Sequence, residues 1–369
     1  MTGQSPPDSA GTATAAAGPP DRRITVTVGS HLGDRRPAAL RLCRELMEEV
    51  GSVAHLARYH TGSCDFALDA AQPHGPAGPL AVTADERQLI GRDVVHVMAD
   101  LDEQLRPPRT GDLVRLLLHT DRGALFCLSV LREQFLVALA WSSGAVDPLP
   151  TRDPAVRAAD MELSALANRL RESVSQQPVN YGGWLGPSGT TLTSGVRELR
   201  PRSGPPATPE DPVTAGVDPP PRPRAADGRP YRPGAGDPPG TLTATCRRYL
   251  DVGDLHYAAV CRAGQIEATA DVLDDPRLDR FFDDTTPERR RAFYHLLGQR
   301  IDVHLRTLVR AVHLALGSRV RRLVLDVEQG ALYCYPVGLD RYLLGVTLDQ
   351  HLVWAADEKA ARLARRLGG

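Results

Sequence analysis

The chain has 369 residues and a formal net charge of −1, which leaves room for two domains of ordinary size and removes the electrostatic case for nucleic acid or an anionic membrane surface. No run approaches the roughly 18 apolar residues that cross a bilayer, and "MTGQSPPDSAGTATAAAGPP" has neither the basic start nor the apolar centre of a secretory signal. The expectation is a cytoplasmic protein with no membrane insertion, led by a disordered tail over residues 1–22.

After that tail, "RITVTV" (23–28) alternates like a short strand that adds to a sheet edge. Pro37 to Val50 has the apolar spacing of a helix, and Val53–Tyr59 with Asp65–Asp69 forms a hairpin around Thr61-Gly62-Ser63, where the glycine supplies a positive φ. A long amphipathic helix starts near Thr83, whose hydroxyl is placed to cap it with Glu86 three residues on; Ile90, Val94, Val97, Met98, Leu101 and Leu105 form its apolar side until Pro107-Pro108 stops it. Three strands joined by short turns follow, so they are antiparallel neighbours, and Pro154 to Val174 closes the unit as a helix.

From Gln177 to Gly240 the character changes to prolines and glycines with no hydrophobic period, as in "GVDPPPRPRAADGRPYRPGAGDPPG". Such a stretch cannot offset the entropy of ordering and reads as a disordered linker, with Pro219 to Pro223 and Tyr231 as a less favoured recognition tract. The second unit runs from Thr241 to the end: a hairpin of Leu255–Val260 with Gln265–Ala270, an acidic loop, a long helix with Asp283, Asp284 and Thr285 where caps belong and Pro287 at its first position, three strands, and a last helix over Ala355 to Leu367.

The two units repeat one another. "LVRLLLHTDRGALFCLSVLREQFLVALAW" (113–141) aligns without a gap on "VRRLVLDVEQGALYCYPVGLDRYLLGVTL" (320–348), sharing Arg115 with Arg322, Leu116 with Leu323, Leu118 with Leu325, and a Gly-Ala-Leu-(Phe/Tyr)-Cys block. The match extends upstream, where Leu89-Ile90-Gly91 corresponds to Leu296-Leu297-Gly298. Nearly all basic residues are arginine, with Lys359 the only lysine, a bias typical of a high-GC bacterial genome.

Nothing gathers as a catalytic or metal site. The six cysteines contain no C-x-x-C, and two pairs, Cys43 with Cys246 and Cys127 with Cys334, stand at repeat-equivalent places as buried apolar residues would. The histidines are scattered, no G-x-S-x-G elbow occurs, and "GWLGPSGTT" (183–191) has the glycines of a phosphate loop without its lysine or a preceding strand. The expectation is no catalytic residue, no metal, no cofactor, and therefore no enzyme.

The order helix, strand, strand, long helix, three strands, helix resembles the Roadblock family, the dynein light-chain-like domains that include bacterial regulators of small Ras-like GTPases. The resemblance covers roughly Arg35 to Ser175 and Thr241 to Leu367, and is carried best by "CRAGQIEA", the helix from Glu288 and the 320–348 repeat. The resulting fold class is α+β, an α/β sandwich. It comprises two tandem Roadblock-like units, over residues 23–176 and 241–369, each a five-stranded antiparallel sheet with the long helix on one face and the flanking helices on the other. The resemblance further implies an internal pseudo-dimer whose third strands join edge to edge, which puts Arg115, Leu117, Arg322 and Val324 at the pairing; a domain-swapped homodimer stays open. It implies a non-enzymatic scaffold or regulator that binds a partner protein, with a small GTPase as the candidate. The exposed sides of the long helices, with Arg92, His96, Arg300 and His304, are the candidate surface. The alternative is a profilin-like sensory module that holds a small ligand between helix and sheet.

Overall fold

Strands that are apolar on both faces need a cover on both faces, and the inner strands of this chain are built that way. The computed structural model describes residues 23–32, 38–71, 82–144, 149–184 and 240–368; the N-terminal tail, most of the Pro/Gly-rich stretch and the Pro219–Pro223 tract lie outside them. In the first half come β1 (Ile24–Val28), α1 (Ala38–Glu49), β2 (Val53–His60), β3 (Ser63–Ala70), α2 (Ala84–Leu105), β4 (Leu113–Thr120), β5 (Gly123–Leu131), β6 (Gln134–Trp141) and α3 (Pro154–Glu172). The second half holds α4 (Leu242–Arg247), β7 (Tyr257–Arg262), β8 (Gln265–Asp271), α5 (Pro287–Leu316), β9 (Val320–Val327), β10 (Gly330–Gly338), β11 (Arg341–Thr347) and α6 (Val353–Gly368).

The eleven strands form one sheet in the order β1-β3-β2-β6-β5-β4-β9-β10-β11-β7-β8, antiparallel throughout. This corrects the expectation of two five-stranded sheets: β4 and β9 exchange a full ladder, so the hydrogen bonding runs unbroken from one unit into the other, and β1 adds a strand at the first unit's edge. Neither β4 nor β9 could be left open, because their residues are buried on both faces with the single intermediate exception of Arg321, and an open apolar edge of that length templates aggregation.

The ladder has a local two-fold character. Leu117 lies opposite Val324, its own repeat equivalent, while Leu116 faces Leu325 and Leu118 faces Leu323. Equivalent backbone bonds flank it on either side, Asp121 N–H to the Arg319 carbonyl at 3.2 Å and Glu328 N–H to the Asp112 carbonyl at 3.1 Å. One face of the sheet is covered by α2 and α5, which lie against each other, and the other by α1, α3, α4 and α6.

Local chemistry explains most element ends. Thr83 and Glu86 make the reciprocal capping box of α2. At α5 the cap is Thr286, whose side chain accepts from Arg289 N–H, rather than the three residues before it. The β2–β3 and β7–β8 turns take two residues with positive φ, Thr61-Gly62 and Ala263-Gly264, the geometry that matches the twist of a two-residue hairpin.

Gly91 lets α2 sit directly on the Tyr59 ring, whose hydroxyl donates to the Gln88 carbonyl at 2.9 Å; a Cβ there would collide with that hydroxyl and with the ring carbons behind it. At the equivalent Gly298 the nearest atom to such a Cβ is the Cys261 Sγ at 3.1 Å. Gly91→Ala is therefore expected to cost about 1–3 kcal/mol, and Gly298→Ala less than half of that. Urea unfolding of the two variants checks the order; equal losses would mean that the Tyr59 contact relaxes freely.

Candidate functional site

The outward side of the two long helices is the first place to look, because the repeat fixes which positions correspond. Leu89 corresponds to Leu296, Asp93 to Arg300, His96 to Val303 and Glu103 to Arg310. All eight of these positions are exposed, so the repeat gives them the same place and different chemistry. Over its whole length α2 exposes five carboxylates (Asp85, Glu86, Asp93, Asp100, Glu103) against Arg92 alone, a balance of −4, whereas α5 exposes four arginines (Arg289, Arg300, Arg306, Arg310) against Glu288 alone, a balance of +3. The surface is thus bipolar, acidic over one helix and basic over the other.

Of the candidate partner-binding residues, Arg92, His96 and Arg300 stand on this exposed side. His304 does not: it is half-buried, and its Nε2 lies 2.8 Å from the Gln104 amide, so it joins α5 to α2. His96 borders the β2–β3 turn, 3.4 Å from where a Cβ on Gly62 would be.

The other candidates, Arg115, Leu117, Arg322 and Val324, lie in the β4–β9 ladder, and two of them are charged groups in the interior. Arg115 is 3 % and Arg322 4 % exposed. Arg115 donates through Nε to Asp326 at 2.7 Å and through Nη1 to Asp160 on α3, while Arg322 pairs with Asp357 on α6, which also accepts from the Tyr335 hydroxyl. Asp160 and Asp357 are the matching residues of an Ala-Ala-Asp triplet (158–160 and 355–357) in the last helix of each unit. The sequence carries that repeat, but at a different spacing from the strands, since the helices align only with a gap.

Asp326 had no such signal, since its repeat equivalent is His119. The register sets Arg115 against Asp326 at one end of the ladder and His119 against Arg322 at the other. Burial works against the Arg115 charge, but Asp160 and Asp326 outweigh it and raise its pKa. Burial pushes Asp326 up, with Arg115 pulling in the opposite direction. His119 is held well below its ordinary 6.5 by burial first and then by Arg322 and Arg321, so it stays neutral, with Asp153 3.9 Å from its Nε2 and no partner for its Nδ1.

Residues 177–184, at the head of the Pro/Gly-rich stretch, run back to this centre. Tyr181 and Trp184 are buried; the Tyr181 hydroxyl donates to the Ser129 carbonyl at 2.6 Å, Gly182 N–H to Asp326 at 2.7 Å and Trp184 Nε1–H to Asp160 at 3.1 Å. Gln350, just before α6, donates to the Asn180 carbonyl. The Trp184 ring packs against Trp354, and the Arg157 guanidinium lies over both.

The cysteines are poor nucleophiles. Burial raises the thiol of Cys43 to about 12 and those of Cys64, Cys246 and Cys261 to about 11, and it lifts Cys127 and Cys334 further, so none is a thiolate near neutral pH. Among the described residues no three His, Cys, Asp or Glu side chains are grouped to hold a metal ion, and no described helix is long and apolar enough to cross a membrane.

No family model matches the chain, and no curated protein does. Among solved structures it is similar to one described as the crystal structure of a Roadblock/LC7 domain from Streptomyces avermitilis, at 12% identity over 34% of this chain and 90% of that one, with a TM-score of 0.23. The relation is weak, spans about a third of the chain, and leaves the family unassigned.

Two measurements follow from the buried charges. Asp326→Ala strands the Arg115 Nε–H and the Gly182 N–H in the interior, a loss of about 3–5 kcal/mol. Glu45→Ala, which removes the surface partner of the 77 % exposed Arg41 side chain, should cost under about 1 kcal/mol; comparable losses in chemical denaturation would place no special weight on the seam. Burial also lowers His256 below 6.5, as it does His119. The folded state therefore binds fewer protons than the unfolded one, and their contribution is complete above pH 6.5 and lost as pH falls below it. The slope is up to about 1.4 kcal/mol per pH unit for each histidine, and His119→Gln should remove its share between pH 6.5 and 5.5.

Proposed function

We propose that this chain is a non-enzymatic docking platform for a partner protein, and that the partner sits on the outward face of α2 and α5. The observation that supports this reading is the inversion of charge at equivalent positions, Asp93 against Arg300 and Glu103 against Arg310, on helices that the sheet holds side by side. Leu89, Leu296 and Val303 are exposed along the same helices at 54 %, 41 % and 56 %, so an apolar line accompanies the charges. Interfaces of that make-up take affinity from the apolar contacts and orientation from the charges. A dimer of identical units must present a self-complementary pair of helices. The duplicated chain presents an acidic helix beside a basic one and so binds an asymmetric partner in a single orientation.

The sequence resemblance to Roadblock domains supplies the candidate, a small Ras-like GTPase in a bacterial cytoplasm. The experiment is capture of purified small GTPases, in both nucleotide states, on the immobilised full chain. Capture should weaken as salt rises from 50 to 500 mM, because exposed charges more than a Debye length apart are screened over that range. The double variant Asp93→Arg/Arg300→Glu should reduce it on the order of tenfold while the unfolding midpoint stays unchanged. Capture that ignores both would remove this face from consideration, and failure to retain any GTPase would leave the platform in need of another partner class.

A further inference from the structure

The repeat that duplicates the helices also duplicates a groove, and the two copies have diverged. Each lies between the second half of a long helix and the last three strands of its unit, and each has a volume of about 680 Å³, within the range of small-molecule sites. In the first unit the groove is lined by Asp102, Glu103, Asp112, Glu133 and Glu328 with Arg106, Arg132 and Arg171 among them. At equivalent places the second has Val309 for Asp102, Arg310 for Glu103, Pro336 for Ser129 and His313 for Arg106.

The result is an apolar floor of Leu305, Val309, Val320, Cys334, Pro336 and Tyr342 under a rim in which Arg306, Arg310 and Arg341 outnumber the carboxylates of Asp302 and Asp340. Two of the rim arginines are already engaged, Arg306 with Asp302 at 3.0 Å and Arg341 with Glu267 at 2.6 Å. Arg310 is exposed and forms no ion pair among the described residues. We propose that this second-unit groove binds a small amphipathic carboxylate, a single unbranched acyl chain lying on the floor with its carboxylate on Arg310. The inference develops the reading of a ligand held between helix and sheet; the groove shares Arg310 with the docking face, whose Arg300 does not line it.

Charge complementarity selects the class. A carboxylate gains a charge-assisted bond from an arginine with no competing acceptor, and an uncharged or cationic headgroup gains nothing there. The apolar floor selects the body, since the same volume in the first unit is lined with carboxylates that would repel the ligand and leave an acyl chain against polar groups. The molecule thus carries its own control for shape without chemistry.

Calorimetric titration of the full chain with decanoate, well below its micellar concentration, tests the assignment. Saturable binding at one site is expected, weakened on the order of tenfold or more by Arg310→Glu and by Val309→Asp, which converts the floor toward that of the first unit, and unchanged by Arg300→Glu. Decanol should bind at least tenfold more weakly than decanoate. No saturable binding, equal affinity for decanol, or binding that survives Val309→Asp in a variant with wild-type unfolding would overturn it. Val309→Asp should leave GTPase capture intact, so a failed groove and a failed docking face give different patterns.

Discussion

Arg115 and Arg322 set the condition that the centre of this molecule has to meet. An arginine cannot shed its proton to escape burial, and removing its charge from water costs several kcal/mol even after relaxation, a large part of a typical domain's whole stability. Carboxylates must therefore be delivered to it. Asp160 comes from α3, Asp357 from α6, and Asp326 from the strand across the seam. The first two arrive only if the closing helices lie over the sheet, and the third only if β4 and β9 are in register. The continuous sheet, the placement of α3 and α6, and the ordering of residues 177–184 are consequences of one electrostatic requirement as well as of apolar burial.

That requirement also explains why the halves differ at the seam. If the position held by His119 and Asp326 were aspartate in both copies, four buried carboxylates would surround two guanidinium groups; if it were histidine in both, Arg115 would lose the acceptor for its Nε. With one of each, three carboxylates face two arginines and a neutral imidazole. The remaining excess of negative charge meets the Gly182 N–H and the Trp184 indole N–H. The tail of the first unit thus completes a site that includes the second unit's Asp326.

What could be read from the sequence was whatever has a period or a copy. The gapless 113–141 and 320–348 match, the capping box at Thr83 and the hairpin glycines each carry a local signal, and the elements they mark lie where that signal puts them. Periodicity alone does not show the single eleven-stranded sheet, because a sequence shows which edges are apolar and not whether the hydrogen-bond ladder continues across them. The centre of the site was legible only in part. Arg115 and Arg322 stand in the repeat, but Asp326 breaks it, Asp160 and Asp357 fall beyond a gap, and Tyr181 and Trp184 belong to a stretch whose average composition argues against packing. Composition averages over a window; a few aromatic residues with buried hydrogen-bond partners do not move the average.

The same reasoning extends from the seam to the surface. His119 against Asp326, Asp93 against Arg300 and Asp102 against Val309 are three pairs in which the fold offers one position twice and the chain fills it with different chemistry. Within an assembly of identical units each such change would appear at both places, so a charge favourable to a partner at one helix would be repeated on the other. Linking the copies in one chain removes that constraint while keeping the packing that made the pair stable, since the β4–β9 ladder depends on backbone bonds and on Leu116, Leu118, Leu323 and Leu325, which the repeat preserves. These three divergent pairs lie where side chains leave the shared ladder: at the polar ends of the seam, on the helix face and in the groove.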